Sequence, residues 1–153
     1  MSHPASMAHL PGRIIFAGVF IVLALFAMLP ARADVRILSS SGGLVSDYLA
    51  VFARVRQSGE RVIVDGPCLS ACTLVLSTIP RNRICVTRRA VLGFHAPTWT
   101  DRSGHMWRLA EATRAVTASY PSGVRAWIKK RGGLAQNLIY LRGRELAALY
   151  PRC

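Results

Sequence analysis

The chain has few acidic residues. Among its 153 residues, 7 Asp and Glu stand against 20 Lys and Arg, which gives a formal net charge of +13 at pH 7. A net positive charge of this size favours anionic partners, for example lipid headgroups or acidic polymers. No stripe of basic residues interleaved with aromatic side chains is present, and adjacent basic runs are limited to Arg88-Arg89 and Lys129-Lys130-Arg131. We therefore expect no specific nucleic-acid binding, and an anionic membrane surface is left as a candidate partner.

The sequence also lacks an apolar run long enough to cross a bilayer comfortably. The apolar run near the start, residues 14–29, has 16 residues, whereas a spanning helix needs about 20. Arg13 precedes this run, and Ala31-Arg32-Ala33 follows it. This order is typical of a secretory signal peptide over residues 1–33 that is cleaved before Asp34. We expect a periplasmic or secreted protein, with an uncleaved inner-membrane anchor as the alternative.

Neither a linker nor an internal repeat is visible after the signal. Residues 34–153 are 120 residues, which is the size of a single domain. In that part, 18 Lys and Arg stand against 7 Asp and Glu, so its net charge is +11.

All four cysteines lie after the signal, at Cys68, Cys72, Cys85 and Cys153. An even number in an exported chain predicts one or two disulfides, and three full pairings stay open. Zinc is the competing use, because Cys68 and Cys72 have a tolerable ligand spacing. No second pair of closely spaced metal ligands accompanies them in the sequence, so we expect neither a metal nor a cofactor.

Strand and helix patterns alternate through the first half of this domain. Apolar, β-branched runs predict strands at residues 34–39, 61–65, 84–86 and 90–94. Leu44, Tyr48, Phe52 and Val55 share one helical face before Gly59, and residues 69–79 suit a buried helix that ends at Pro80. The βαβαβ order predicts an α/β fold with a parallel sheet and crossover helices. The C-terminal third is predicted to be helical, over residues 106–119, 121–130 and 134–149.

Three features fall at the carboxyl edge of that sheet, where ligands bind in such folds. Gly42-Gly43 follow the first strand, Ser70 opens the second helix and His95 ends the third strand region. A nucleophile, a base and backbone amides are the parts that acyl transfer requires. The alternatives are a helix cap for Ser70 and a structural role for His95. After signal removal, His105 is the other remaining histidine.

These segments carry a resemblance to a known family. Ser41-Gly42-Gly43, the run from Gly66 through Cys68-Leu69-Ser70-Ala71-Cys72, and Gly93-Phe94-His95-Ala96-Pro97 resemble the pattern of the Clp protease proteolytic subunit, within the Clp-protease and crotonase superfamily. The separation of 25 residues between Ser70 and His95 is similar to that of the family's serine and histidine. The Cys-x-Ser-Ala-Cys box is similar to that of exported Clp-like proteins of proteobacteria.

The resemblance implies a role for each matching residue. It makes Ser70 the nucleophile, His95 the general base, and the amides of Gly43 and Ala71 the oxyanion hole. The family's third residue, an aspartate about fifty positions after the histidine, has no aspartate match, and Glu145 stands at a similar distance. Asp101 is nearer in sequence but lies on a different loop, and a serine-lysine dyad would have to use Lys129 or Lys130. The resemblance also implies a fold shortened at its N-terminal unit, because the elements that usually precede the glycine pair are missing before Val35.

We therefore expect an exported serine hydrolase, in particular an ATP-independent peptidase that acts on a peptide or small acyl substrate. A homo-oligomer is left open. The alternative is a catalytically inactive binding or scaffold module of the envelope that keeps the fold.

Overall fold

The computed structural model describes residues 33–153. Almost all of the predicted signal peptide, residues 1–32, lies outside the described residues. Residues 33–153 belong to one structural unit.

Three short strands rich in β-branched residues form the first sheet. They are β1 (Val35–Ile37), β2 (Val62–Val64) and β4 (Ile84–Val86), and they run parallel in the order β1-β2-β4. Every residue of β2 and β4 is buried, as expected of parallel strands that are covered on both faces. Helix α1 (Val45–Ser58) connects β1 to β2 and ends at Gly59, whose φ of +78° suits glycine.

A second sheet continues from the ends of the first. Strand β3 (Pro67–Leu69) runs parallel to β5 (Val91–Phe94), and β8 (Ile139–Arg142) pairs with β5 in the antiparallel direction. The chain passes from β2 to β3 through Gly66, where a Cβ would lie 1.9 Å from the carbonyl oxygen of Leu38. The two sheets therefore meet at a bend where the backbones are too close for any side chain.

The buried carboxylate of Asp65 connects the segments that meet at this bend. Asp65 accepts hydrogen bonds from Arg36 (2.7 Å), from the Thr87 hydroxyl (2.7 Å) and from both Nε (3.1 Å) and Nη2 (2.6 Å) of Arg89. The Arg89 guanidinium, followed by Thr87 and Arg36, holds the pKa of Asp65 well below its usual range. Because these donors come from β1 and from the segment that leads from β4 to β5, Asp65 links both sheets.

The remaining elements cover the sheets. A 3-10 helix, Ser70–Leu74, runs directly into α2 (Val75–Thr78), and a second, Arg81–Arg83, precedes β4. Strands β6 (Thr98–Thr100) and β7 (Met106–Arg108) form a hairpin, followed by α3 (Ala110–Ser119), α4 (Ser122–Lys130) and, after β8, α5 (Gly143–Leu149). Within residues 33–153, no helix combines the length and the apolar character that a bilayer span requires.

The mixed α/β class is confirmed, with three small sheets and five α-helices in the described residues. The expected single helix over residues 134–149 is wrong, because residues 139–142 form β8, where buried Leu141 pairs with Leu92. The expected helix over residues 106–119 begins only at Ala110, since residues 106–108 belong to the hairpin. Residues 67–69 form a strand, and the helical segment after them is mostly a 3-10 helix.

Candidate active site

Ser70 has a strained backbone conformation, directly after β3. Its φ is +56°, and it is the one non-glycine residue in residues 33–153 with a positive φ. A side chain in this region costs about 1–3 kcal/mol, so such a residue persists only where its surroundings impose it. The turn leads straight from a strand into the 3-10 helix. The surrounding structure therefore holds Ser70 in a backbone conformation that is regular for neither a strand nor a 3-10 helix.

His95 meets Ser70 across two parallel strands. β3 ends at Leu69 and β5 ends at Phe94, and each side chain follows its strand by one residue. Because parallel strands place their carboxyl ends at one edge, the two side chains come together. The distance from His95 Nε2 to Ser70 Oγ is 2.7 Å, within the range expected of a nucleophile and its base.

The glycine pair packs directly against this serine. Gly42 has a φ of +88°, and a Cβ there would lie 2.5 Å from Ser70 Cβ and 3.0 Å from the amide nitrogen of Ala71. The Gly42 amide donates to Ser40 Oγ (3.3 Å), whose hydroxyl also meets Tyr48 Oη at 2.6 Å. Glycine is therefore required at Gly42 both for its φ and for the contact.

A small cavity opens beside the pair. Its volume is about 140 Å³, and Gly43, Ser70, Ala71 and His95 all line it. The Gly43 amide has no hydrogen-bond partner in the part of the chain that the structure describes. The Ala71 amide lies in the first turn of its helix, ahead of the first intrahelical donor. The two residues that carry these amides line the space beside the serine hydroxyl, where an oxyanion hole would need its donors.

A larger groove of about 710 Å³ continues from this cavity. The two spaces share Leu44, Val45, Leu74 and Val116 as walls. The groove is mainly apolar, so a hydrophobic group next to a reacting carbonyl could lie in it.

Both cysteine pairs form disulfides, and one of them brackets Ser70. Cys68 is joined to Cys72, and Cys85 is joined to Cys153. Cys68 and Cys72 are also buried. Their sulfurs are therefore not thiolates that could ligate zinc, and the ring that they close contains the candidate nucleophile.

The carboxylate expected beside His95 is elsewhere. Both oxygens of Glu145 accept from Arg131 Nη2 at 2.8 Å, and this guanidinium lowers the pKa of Glu145. Asp101 closes the β6–β7 turn, where the hydroxyl of Ser103 and the indole of Trp107 lower its pKa to about 2. Within residues 33–153, no hydrogen bond to the second ring nitrogen of His95 is present. The structure brings Ser70, His95, Gly43 and Ala71 together and does not bring Glu145 to them.

Thr73 and Tyr120 are two neighbours of the site that sequence reasoning missed. The Thr73 hydroxyl donates to the carbonyl oxygen of Ser70 (2.7 Å) and contacts the hydroxyl of Tyr120 (2.6 Å). Thr73 follows Ser70 by three residues, a spacing typical of such backbone contacts. The 47 residues between Thr73 and Tyr120 leave no local signal in the sequence.

No protein-family model matches the chain, and no curated protein matches it significantly.

Proposed function

We propose that this chain is an exported serine hydrolase in which Ser70 is the nucleophile, His95 is the general base, and the amides of Gly43 and Ala71 hold the oxyanion. The observation that carries the proposal is the 2.7 Å contact between Ser70 Oγ and His95 Nε2, beside a cavity that Gly43 and Ala71 line. The resemblance to Clp proteases assigns the same four residues, and we extend it to a peptidase that acts without an ATP-driven unfoldase.

The chemistry proceeds by acyl transfer. Ser70 Oγ attacks the carbonyl carbon of a peptide or ester, and its proton passes to His95 Nε2. The carbonyl oxygen becomes an anion, which the amides of Gly43 and Ala71 stabilise without reorganisation. When the bond to the leaving group breaks, His95 returns the proton to that group. Water, deprotonated by His95, then attacks the acyl carbon; the bond to Ser70 Oγ breaks, the acid leaves, and His95 returns the proton to Ser70 Oγ.

Within residues 33–153, the second ring nitrogen of His95 has no hydrogen-bond partner, and this bears on how strong the activity is. A serine-histidine pair without a carboxylate lacks the group that orients the imidazole and stabilises its charged form. This same feature favours the second candidate, a binding or scaffold module that keeps the fold without turnover. Catalysis by the pair should therefore be slow but measurable on an activated ester.

A fluorophosphonate probe and an activated ester test the proposal together. The purified protein should be labelled at Ser70 and should hydrolyse the ester, and Ser70→Ala and His95→Ala should each lower turnover by about 10³-fold or more. The double variant should be little worse, because the two residues act as a unit. Ser58→Ala and His105→Ala are matched controls, since both residues are exposed and lie outside the cavity. Wild-type turnover no greater than that of Ser70→Ala would replace the hydrolase with the binding module.

The export part of the proposal has its own support. Two disulfides are compatible with an oxidising compartment outside the cytoplasm. N-terminal sequencing of the mature protein should begin at Asp34, and a cellular protein that retains Met1 would contradict cleavage.

A further inference from the structure

A side-chain hydrogen bond holds the Ser70 carbonyl, and the direction of this carbonyl determines the direction of the Ala71 N–H in the proposed oxyanion hole. Thr73 Oγ1 donates a hydrogen bond to Ser70 O at 2.7 Å. That carbonyl and the Ala71 N–H belong to one planar peptide group, in which they point in opposite directions. Fixing the direction of the oxygen therefore fixes the direction of the N–H.

The protons of the two hydroxyls can be assigned. A carbonyl oxygen only accepts, so the single proton of Thr73 is committed to Ser70. In the 2.6 Å contact between Thr73 Oγ1 and Tyr120 Oη, the donor must then be Tyr120. Burial raises the pKa of Tyr120 to about 12, so this donor keeps its proton throughout the neutral range.

Burial makes this chain of hydroxyls rigid. Thr73 is 1% exposed, and Tyr120, which lines the site cavity, is 3% exposed, so water competes only weakly for either bond. The Tyr120 ring also packs edge-on against Phe94, with centroids 5.3 Å apart, and Phe94 directly precedes His95. Tyr120 thus contacts both the turn of the nucleophile and the strand of the base.

Resting on the proposed function, we propose that Thr73 and Tyr120 are positioning residues that aim the Ala71 amide into the oxyanion hole by holding the Ser70 carbonyl. Neither hydroxyl needs to touch the substrate. Their contribution appears when negative charge forms on the carbonyl oxygen, so it belongs to the transition state rather than to substrate binding.

Thr73→Val is the central variant, because it removes the hydroxyl and keeps the shape. We expect kcat on an activated ester to fall about 10- to 100-fold with KM nearly unchanged, a part of what the loss of a complete oxyanion donor costs. Thr73→Ser should restore most of kcat. Tyr120→Phe should show a smaller loss, and Thr73→Val with Tyr120→Phe should be no worse than Thr73→Val alone, because one chain of bonds is being broken.

Thr117→Val is the matched control. Thr117 also donates to a helix carbonyl, that of Thr113, at 2.7 Å, and it does not border the site cavity. A second readout is an alkyl boronic acid, whose tetrahedral adduct on Ser70 places an oxygen in the hole. Its affinity should fall in Thr73→Val in parallel with kcat, and it should be unchanged in Thr117→Val.

The outcomes separate this inference from the proposed function. If the wild type neither turns over ester nor binds boronate, the hydrolase and the positioning role both fail. If the wild type is active and Thr73→Val equals Thr117→Val, only the positioning role fails. A crystal structure of Thr73→Val with the Ser70 carbonyl unmoved would also overturn it. Should Thr73→Val not fold, a kcat loss in Tyr120→Phe with unchanged KM still supports the role, and unchanged kcat contradicts it.

Discussion

The bend between the two sheets at Asp65 and the turn at Ser70 differ in what holds them in place. At the bend between the sheets, Asp65 accepts hydrogen bonds from three charged or hydroxyl side chains that come from two segments, and no residue there has a positive φ. At the Ser70 turn, no ion pair is present among the described residues, yet the backbone is held at a φ of +56°. Charge pairing that ties elements together favours stability, whereas a constrained turn beside a cavity favours chemistry. Changes in the first region should alter folding, and changes in the second should alter turnover.

Outside the Ser70–His95 pair itself, the largest expected effect is on turnover, from Gly42→Ala. A Cβ at this position would lie 2.5 Å from Ser70 Cβ and 2.7 Å from the Leu69 carbonyl oxygen, so the serine or the glycine turn must move. Ester hydrolysis should drop about 10²-fold or more, since a misplaced nucleophile or oxyanion donor costs at least that much.

Gly104→Ala is the control for this change. Gly104 has a similar φ of +85°, but no atom lies within 4 Å of its missing Cβ. Both variants therefore suffer the same backbone penalty, and only Gly42→Ala suffers the clash. Equal turnover in the two variants would mean that the glycine turn does not support the site.

Removal of one disulfide should mainly lower stability, and removal of the other should mainly lower turnover. The Cys85–Cys153 bond closes a loop with a sequence separation of 68, against 4 for Cys68–Cys72. On loop entropy, the long crosslink should stabilise the fold by about 4 kcal/mol and the short one by about 2 kcal/mol. Replacing both cysteines of the long pair by serine should therefore lower the free energy of unfolding more.

Turnover should show the reverse order, because the short ring contains Ser70. The Cys68→Ser, Cys72→Ser variant should lose more kcat than the Cys85→Ser, Cys153→Ser variant, when both are compared below their melting temperatures. Urea unfolding and ester kinetics on the same preparations measure both quantities. Loss of kcat in proportion to stability in both variants would remove the distinction.

Sequence reasoning found the parts of the molecule that local pattern determines. β1, β2, β4, β5 and α1 lie close to the positions predicted from apolar, β-branched runs and from the helical spacing of apolar residues before Gly59, because these patterns are local in the sequence. Ser70 and His95 were paired by strand order, since parallel strands end at one edge, and the structure places them 2.7 Å apart.

Other parts depend on contacts that no local pattern encodes. β8 reads as helix in the sequence and becomes a strand only because β5 offers it an edge, with Leu92 opposite Leu141. The hydrogen bond between Thr73 and Tyr120 spans 47 residues. The placement of Glu145 was inferred from distance along the chain, which does not determine distance in space.

Asp65→Asn tests the first region, and it should lower the melting temperature by several degrees. The amide keeps the size but replaces one acceptor oxygen with a donor that faces Arg89 or Arg36. Turnover per folded molecule should stay near the wild-type value, since Asp65 does not line the site cavity. A loss of kcat without a loss of stability would contradict the division between the two regions.

The same variant gives a pH dependence with a defined sign. The pKa of Asp65 is lowered in the folded state, first by Arg89, then by Thr87 and Arg36. Its contribution to stability is therefore complete above the ordinary aspartate pKa of about 3.9 and is lost as the pH falls from there toward the lowered value. The gap in melting temperature between wild type and Asp65→Asn should be constant from pH 7 to pH 5 and should narrow near pH 3.

The smallest effect should come from Glu145→Gln, which compares a surface carboxylate with the buried one. Glu145 is paired with a single residue, Arg131, and their side chains are 49% and 42% exposed, so solvent screens most of the attraction. If Glu145 oriented His95 as the third member of a triad, Glu145→Gln would lower kcat and shift its pH profile, because the imidazolium would lose its partner. Its two hydrogen bonds go to Arg131 instead, so we expect unchanged kcat, an unchanged pH profile and a melting temperature close to wild type. Arg131→Gln is the matched partner variant and should behave in the same way; a kcat loss confined to Glu145→Gln would place the carboxylate in the catalytic machinery after all.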